Sequence, residues 1–161
     1  MEKRLIRFRG KSCDDGKWVY GYLIQDEVGV MSSLTTRSFI APTLPTENTY
    51  GHLWLTYMNE VDSNTVGQYA GCVDKNKWPI YDGDILMYEG IKHNRYYVVS
   101  WDADKLMFTI GRTVLPFGKI PVYSILEDGD TMLKDYVVCG NIHENPELLK
   151  EFNEDKTEGN A

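Results

Sequence analysis

Between Thr65 and Ile85 the chain reads TVGQYAGCVDKNKWPIYDGDI, two apolar segments punctuated by glycine that flank an Asp-Lys-Asn-Lys turn. Pro79 holds Trp78 in extended geometry and withholds a ladder hydrogen bond at its own nitrogen, so the chain leaves this turn along a strand edge. Asp82-Gly83-Asp84 then turns it into Ile85-Leu86-Met87-Tyr88. Short strands joined by tight turns are what such a segment can build. It commits the middle of the chain to β structure.

The flanking sequence repeats that pattern. Ile6 and Phe8 alternate with Arg7 and Arg9, as a half-buried strand requires. Asp14-Asp15-Gly16-Lys17 supplies a hairpin turn, and Trp18 to Ile24 reads as the returning strand, with Gly21 marking a bulge or close packing. Val28, Val30, Met31, Leu34, Phe39 and Ile40, broken by Ser and Thr, predict one or two further short strands. Pro42 and Pro45, with Thr43, Thr46 and Asn48, predict a loop. Tyr50 to Met58 then alternates imperfectly as a strand, and Asn59 to Asn64 forms a polar turn.

Downstream of Ile80, strands are expected over 85–88, 96–101, 106–110, 116–124 and 137–142. Their spacing of roughly eight to twelve residues favours a sandwich or closed barrel over a helix-bearing sheet. Asn145-Pro146 with Glu147 opens a short helix, since Asn caps, Pro suits the first helical position and Glu favours the positive end of the helix dipole. Residues 153–161 are polar and acidic, a composition that predicts disorder. With 11 tyrosines and 4 tryptophans alongside many β-branched residues, the expected fold is mainly β. Its parts are a small N-terminal β unit over 1–71, an SH3-like barrel over 72–145, and a short C-terminal helix with an acidic tail over 146–161.

The signature Gly67-Gln68-Tyr69, Gly71, Tyr81, Gly83-Asp84 resembles that of the YopX family found in phages and prophages. The resemblance extends to Phe8-Arg9-Gly10-Lys11 with Trp18-Val19-Tyr20-Gly21, and to Gly140-Asn141-Ile142-His143-Glu144-Asn145-Pro146 near the other end. It implies a phage or prophage origin and a fold, and carries no catalytic residues with it. The family's turn has Asn-Gly where this chain has Asn76-Lys77. Asn76 is then the residue expected to take the left-handed conformation. The family commonly has leucine at the position of Cys72, which implies a buried small hydrophobe there.

Charge divides unevenly. Residues 1–45 hold seven basic and five acidic side chains, whereas 46–161 hold ten and nineteen, within a net charge of -7. That balance argues against a surface that tracks duplex DNA throughout, because such affinity comes from cations neutralising phosphates, and leaves room for a local basic patch. Arg4, Arg7 and Arg9, with Trp18, Tyr20 and Tyr22, form a candidate contact surface. The alternative is the solvated side of a strand.

Other chemistries find little support. Cys13, Cys72 and Cys139 form no CxxC pair, His52, His93 and His143 lack metal-ligand spacing, and Asp82, Asp84, Asp102 and Asp104 read first as turn chemistry. No phosphate loop, dinucleotide fingerprint or nucleophile elbow is present. The sequence thus predicts no enzyme, no cofactor and no metal. Gly67, Gly71 and Gly83 are assigned to backbone geometry, and Tyr69, Trp78 and Tyr81 to a junction core. A charged N-terminus and the lack of a run of about 18 apolar residues predict a cytoplasmic protein without a membrane span. The expected role is a non-catalytic module that binds an unidentified phage or host protein, with homo-oligomerisation open. The alternative is a single-stranded nucleic-acid-binding barrel.

Overall fold

The computed structural model describes residues 5–30, 33–42, 46–47, 53–54, 57–89, 94–111, 120–126 and 131–149. Arg4, Pro45, His52, His93 and residues 150–161 lie outside the described residues. The chain is mainly β and divides into two compact units, 1–69 and 70–161.

In the first unit, β1 (Phe8–Lys11), β2 (Trp18–Val30), β3 (Ser33–Ala41) and β6 (Asn59–Val61) pair in succession. The start of β7 (Gly67–Asp74) lies on the other side of β1. β4 (Thr46–Glu47) and β5 (Leu53–Trp54) form a separate pair, so only Leu53 and Trp54 of the strand expected over 50–58 are strand residues among those described. The β1–β2 turn closes through Gly16 N–H to the Ser12 carbonyl and Ser12 N–H to the Lys17 carbonyl, both 2.9 Å. Gly16 takes a φ of +69°.

Alternation then sorts the side chains. Gly10, Ile40 and Val61 converge on the buried face, where a Cβ on Gly10 would lie 2.9 Å from Val61 Cγ2. Gly21 marks close packing: a Cβ there would overlap the Ala41 carbonyl. A bridge from Ser12 to Val61 ties the end of β1 to β6.

The β2–β3 hairpin is longer than the sequence predicts. Its register runs without a break from Tyr22↔Ala41 to Val30↔Ser33, because Ser and Thr fit a pleated strand and do not interrupt it. β1 covers β2 only at Trp18–Gly21, and β6 covers β3 only at Ser38–Ile40. Among the described residues, 23–30 and 33–37 therefore form a two-stranded ribbon.

The second unit contains the end of β7, which pairs with β8 (Pro79–Tyr81) and in parallel with β13 (Met132–Leu133). A five-stranded sheet follows the order β12 (Ile120–Pro121), β11 (Met107–Gly111), β10 (Arg95–Asp102), β9 (Asp84–Tyr88) and β14 (Tyr136–Asn141). The described strands leave this sheet open, with no pairing between β12 and β14. Cys72, Ile80, Leu86, Val99, Phe108, Ile110, Val122 and Leu133 make the core. Residues 122–125 form a 3-10 turn where strand was expected, and the described residues after Asn145 hold a 3-10 turn over Pro146–Leu149.

Candidate functional site

Antiparallel pairing puts directly opposed residues on the same face. Arg9 faces Tyr20 and Lys11 faces Trp18, and Arg7 lies one step further along the same side. The Arg9 guanidinium sits 4.6 Å from the Trp18 ring centroid, the Lys11 ammonium 5.9 Å from it, and the Arg7 guanidinium 6.0 Å from the Tyr22 ring. Five of the six expected contact residues thus share one face, and Arg4 lies outside the described residues. Accessibility separates them. Arg7 and Tyr20 are exposed, whereas Arg9 is only 6% exposed. Burial over an indole holds that guanidinium by cation–π attraction.

The signature residues of the first unit are backbone-directed. Gly67 pairs with Arg9 and Gln68 with Phe8, while Tyr69 N–H donates to the Arg7 carbonyl at 2.8 Å. In the second unit, Gly71 at φ 90° and Gly83 at φ 82° occupy a region that glycine enters without a Cβ clash. Tyr81 is buried. Its N–H donates to Asp84 Oδ2 at 2.7 Å, and Asp84 is itself buried. The Asp82-Gly83-Asp84 motif is therefore a turn that seats a carboxylate on a backbone amide, and Gly83 also bonds the Val99 carbonyl and the Ile142 amide. Asp102 pairs with Lys105, at 3.2 Å to its amide and 3.6 Å to its ammonium. Among the described residues no three metal-ligating side chains cluster.

Two expectations need correction. Trp78 is 67% exposed, because the turn before Pro79 carries it outward, so it belongs to no core. The left-handed residue of the turn is Lys77, with φ 67°, and not Asn76. Lys77 occupies the place where the family resemblance implies glycine. Asn76 instead donates its amide to Asp74 Oδ1 at 2.8 Å.

Asp74 is the organising residue that the sequence reading passed over. It is fully buried and accepts three backbone amides, from Asn76, Trp78 and Val138. An Asx turn is legible in Asp-Lys-Asn as an aspartate two residues before an amide it can bond. The bond to Val138 is not local and had no sequence signal.

The closing motif is built likewise. Asn141 Oδ1 accepts the amides of His143 and Glu144, both at 3.0 Å. Asn145 stands immediately before the 3-10 turn, and its carbonyl accepts the Leu148 amide at 3.1 Å. Its Oδ1 turns back to accept the Asn141 amide at 3.3 Å, while Pro146 opens the 3-10 turn. Gly140 makes room for this: a Cβ there would lie 2.5 Å from Asn145 Oδ1. Burial pushes the Cys72 thiol up to about 12, so it stays protonated at neutral pH.

These features define a mainly β protein whose signature residues are committed to turns, close packing and buried backbone hydrogen bonds. A model of the YopX protein family matches residues 7–150, and the chain belongs to that family. It is similar in fold to the crystal structure of protein EF1440 from Enterococcus faecalis, with 22% identity and a TM-score of 0.52, covering 91% of this chain and 99% of that one. No curated protein gives a significant match. No helix among the described residues is long and apolar enough to cross a membrane.

Proposed function

We propose that this YopX-family protein is a non-catalytic binding module of phage or prophage origin that engages a phage or host protein in the bacterial cytoplasm. The observation that carries this reading is the β2–β3 ribbon. An isolated two-stranded hairpin is marginally stable in water, and a strand exposes main-chain donors and acceptors that an extended peptide can pair with. The described ribbon has two such edges, with one carbonyl, that of Thr36, taken at 3.2 Å by the Ser63 hydroxyl. Asp26 stands opposite Arg37 and keeps the ribbon charged.

The second unit fits an SH3-like reading at the level of strand order. Four strands, β9 to β12, meander, a 3-10 turn follows over 122–125, and β14 returns beside β9. Strand order of this kind implies no function by itself, so the binding reading rests on the ribbon. The buried polar side chains Asp74, Asp84 and Asn141 accept backbone amides, which supports a structural role for them. The nucleic-acid alternative keeps Arg7, Tyr20 and Tyr22 but has Arg9 buried, which removes one cation from a phosphate track.

Adjacent N–H groups of a strand point to opposite edges, so Asp26→Pro and Glu27→Pro form a built-in control. The variant whose lost N–H faced outward should keep near-native stability and lose capture of a stoichiometric, nuclease-resistant partner from lysogenic cells. The other should destabilise the hairpin. Capture unchanged in the stable variant would overturn strand addition, and recovery only through bridging nucleic acid would overturn the protein-binding reading. Solution mass measurement separates a second copy of this chain from a different partner.

A further inference from the structure

The second unit contains a cavity of about 170 Å³ lined by Tyr88, Ile125, Met132, Lys134, Asp135 and Tyr136. Its aromatic wall is interlocked. The Tyr88 and Tyr136 rings are 5.5 Å apart and tilted by 52°, and Tyr97 meets Tyr136 edge-on at 5.8 Å. Tyr136 stands opposite Tyr88 in the β14–β9 ladder, so backbone register sets this geometry. Burial, followed by the neighbouring phenols of Tyr97 and Tyr88, pushes the Tyr136 hydroxyl above its ordinary value. Ile125 and Met132 supply aliphatic and thioether surface, and Lys134 and Asp135 are exposed at the rim.

We infer that this cavity is an anchor pocket for one aromatic side chain of a partner protein. The pocket is half open, and its size favours a side chain over a whole metabolite. Pockets for whole small molecules span roughly 300 to 1,000 Å³, whereas an engineered cavity of about 150 Å³ holds benzene. A single ring fits here, and on the protein-binding reading that ring projects from a peptide. Wall chemistry decides between aromatic and aliphatic. Tilted tyrosines offer edges and faces to another ring, and a methionine sulfur adds a contact that aromatic rings prefer. The opposite charges of Lys134 and Asp135 suit the amide dipoles of a peptide that carries the ring. Buried aromatic anchors supply much of the energy of protein interfaces, so this pocket would add to the ribbon a second point of engagement.

The inference rests on the protein-binding reading, yet its test does not use the ribbon. The full-length protein, labelled at its methionine and isoleucine methyl groups, is titrated by NMR with the blocked peptides Gly-Tyr-Gly and Gly-Leu-Gly, and with p-cresol as the bare ring. Saturable shifts confined to the Met132 and Ile125 methyls, intermolecular contacts from the tyrosine ring to both, and at least fivefold weaker binding of the leucine peptide are expected. Ile125→Trp should fill the cavity and weaken ring binding at least tenfold. Should that variant misfold, the contacts in the native protein decide the matter. No saturation by either ring probe would overturn the pocket, equal binding of the leucine peptide would overturn the aromatic class, and p-cresol binding without the tyrosine peptide would assign it to a free small molecule instead. Asp26→Pro and Glu27→Pro, whichever proves stable, should leave the titration unchanged even if strand addition fails.

Discussion

The Oδ2 oxygen of Asp74 accepts the backbone N–H of Val138 at 3.0 Å, across 64 residues of chain. Its Oδ1 oxygen accepts the amides of Asn76 at 2.8 Å and Trp78 at 2.9 Å. One buried carboxylate therefore fixes the β7–β8 turn and the middle of β14 together. The turn's own backbone adds the Asp74 amide to the Trp78 carbonyl and the Lys77 amide to the Asp74 carbonyl, both at 2.9 Å.

Asp74→Ala strips three amides of their acceptor. Water can replace it for the exposed Asn76 and Trp78, but less well for half-buried Val138. Hydrogen bonds to a charged group contribute about 1.5 to 3 kcal/mol each, and we expect a net loss of about 3 kcal/mol. Asp74→Asn, which keeps one acceptor oxygen, should lose about half as much. Urea denaturation measures both, and an alanine variant within about 0.5 kcal/mol of the native protein, the range of ordinary surface changes, would rule the role out.

Lys77 holds φ 67° without a glycine. The left-handed region costs an L side chain roughly 1 to 2 kcal/mol, partly offset by the greater unfolded-state entropy of glycine. Lys77→Gly should therefore stabilise the protein by about 0.5 kcal/mol, visible as a higher urea midpoint with an unchanged slope. Asn76→Gly should give no such gain. A destabilised Lys77→Gly protein would contradict the strain argument.

How legible this structure is from sequence depends on whether the cause is local. The β1–β2 hairpin follows from Asp14-Asp15-Gly16-Lys17, and the shared face of Arg7, Arg9, Trp18, Tyr20 and Tyr22 follows from period-two alternation once the turn is placed. The burial of Arg9 does not follow, since alternation gives a side and not what covers it. Proline rules placed Trp78 in extended geometry but could not say that it points to solvent. Asn145 precedes Pro146 as a helix cap would, yet its side chain bonds backwards to Asn141, because Gly140 opens space for it. The Asp74 to Val138 bond and the cavity beside Tyr136 both come from strand pairings distant in sequence, for which one chain offers no pattern.

Gly140→Ala tests whether the closing motif depends on that space. The new Cβ would sit 2.5 Å from Asn145 Oδ1 and 2.8 Å from its Cγ, so the amide must leave and the Asn141 N–H loses its acceptor. We expect a cost of about 2 kcal/mol, in the range of a disrupted buried polar contact. Asn145→Gly alone should cost about 1 kcal/mol. If the clash is the cause, the double variant should be at least about 1 kcal/mol more stable than the two separate losses added together. Simple additivity in the denaturation curves would refute it.

Cys72 links stability to alkaline pH with a definite sign. Burial raises its thiol from 9.0 to about 12, with the Asp84 carboxylate adding to the shift. Between those values the unfolded chain has released the proton while the folded protein retains it. Stability from this group is fully present below pH 9 and is lost as pH rises towards about 12, with a slope approaching ~1.4 kcal/mol per pH unit. The informative quantity is the difference between the native protein and Cys72→Val, which cancels every group the two proteins share. That substitution keeps an apolar side chain in the core and removes the proton. The variant should lose stability less steeply above pH 9 in urea titrations at successive pH values, and slow reaction of Cys72 with iodoacetamide at pH 8, compared with exposed Cys13, should accompany it. Parallel curves for the two proteins would mean that the Cys72 thiol titrates alike in the folded and unfolded states.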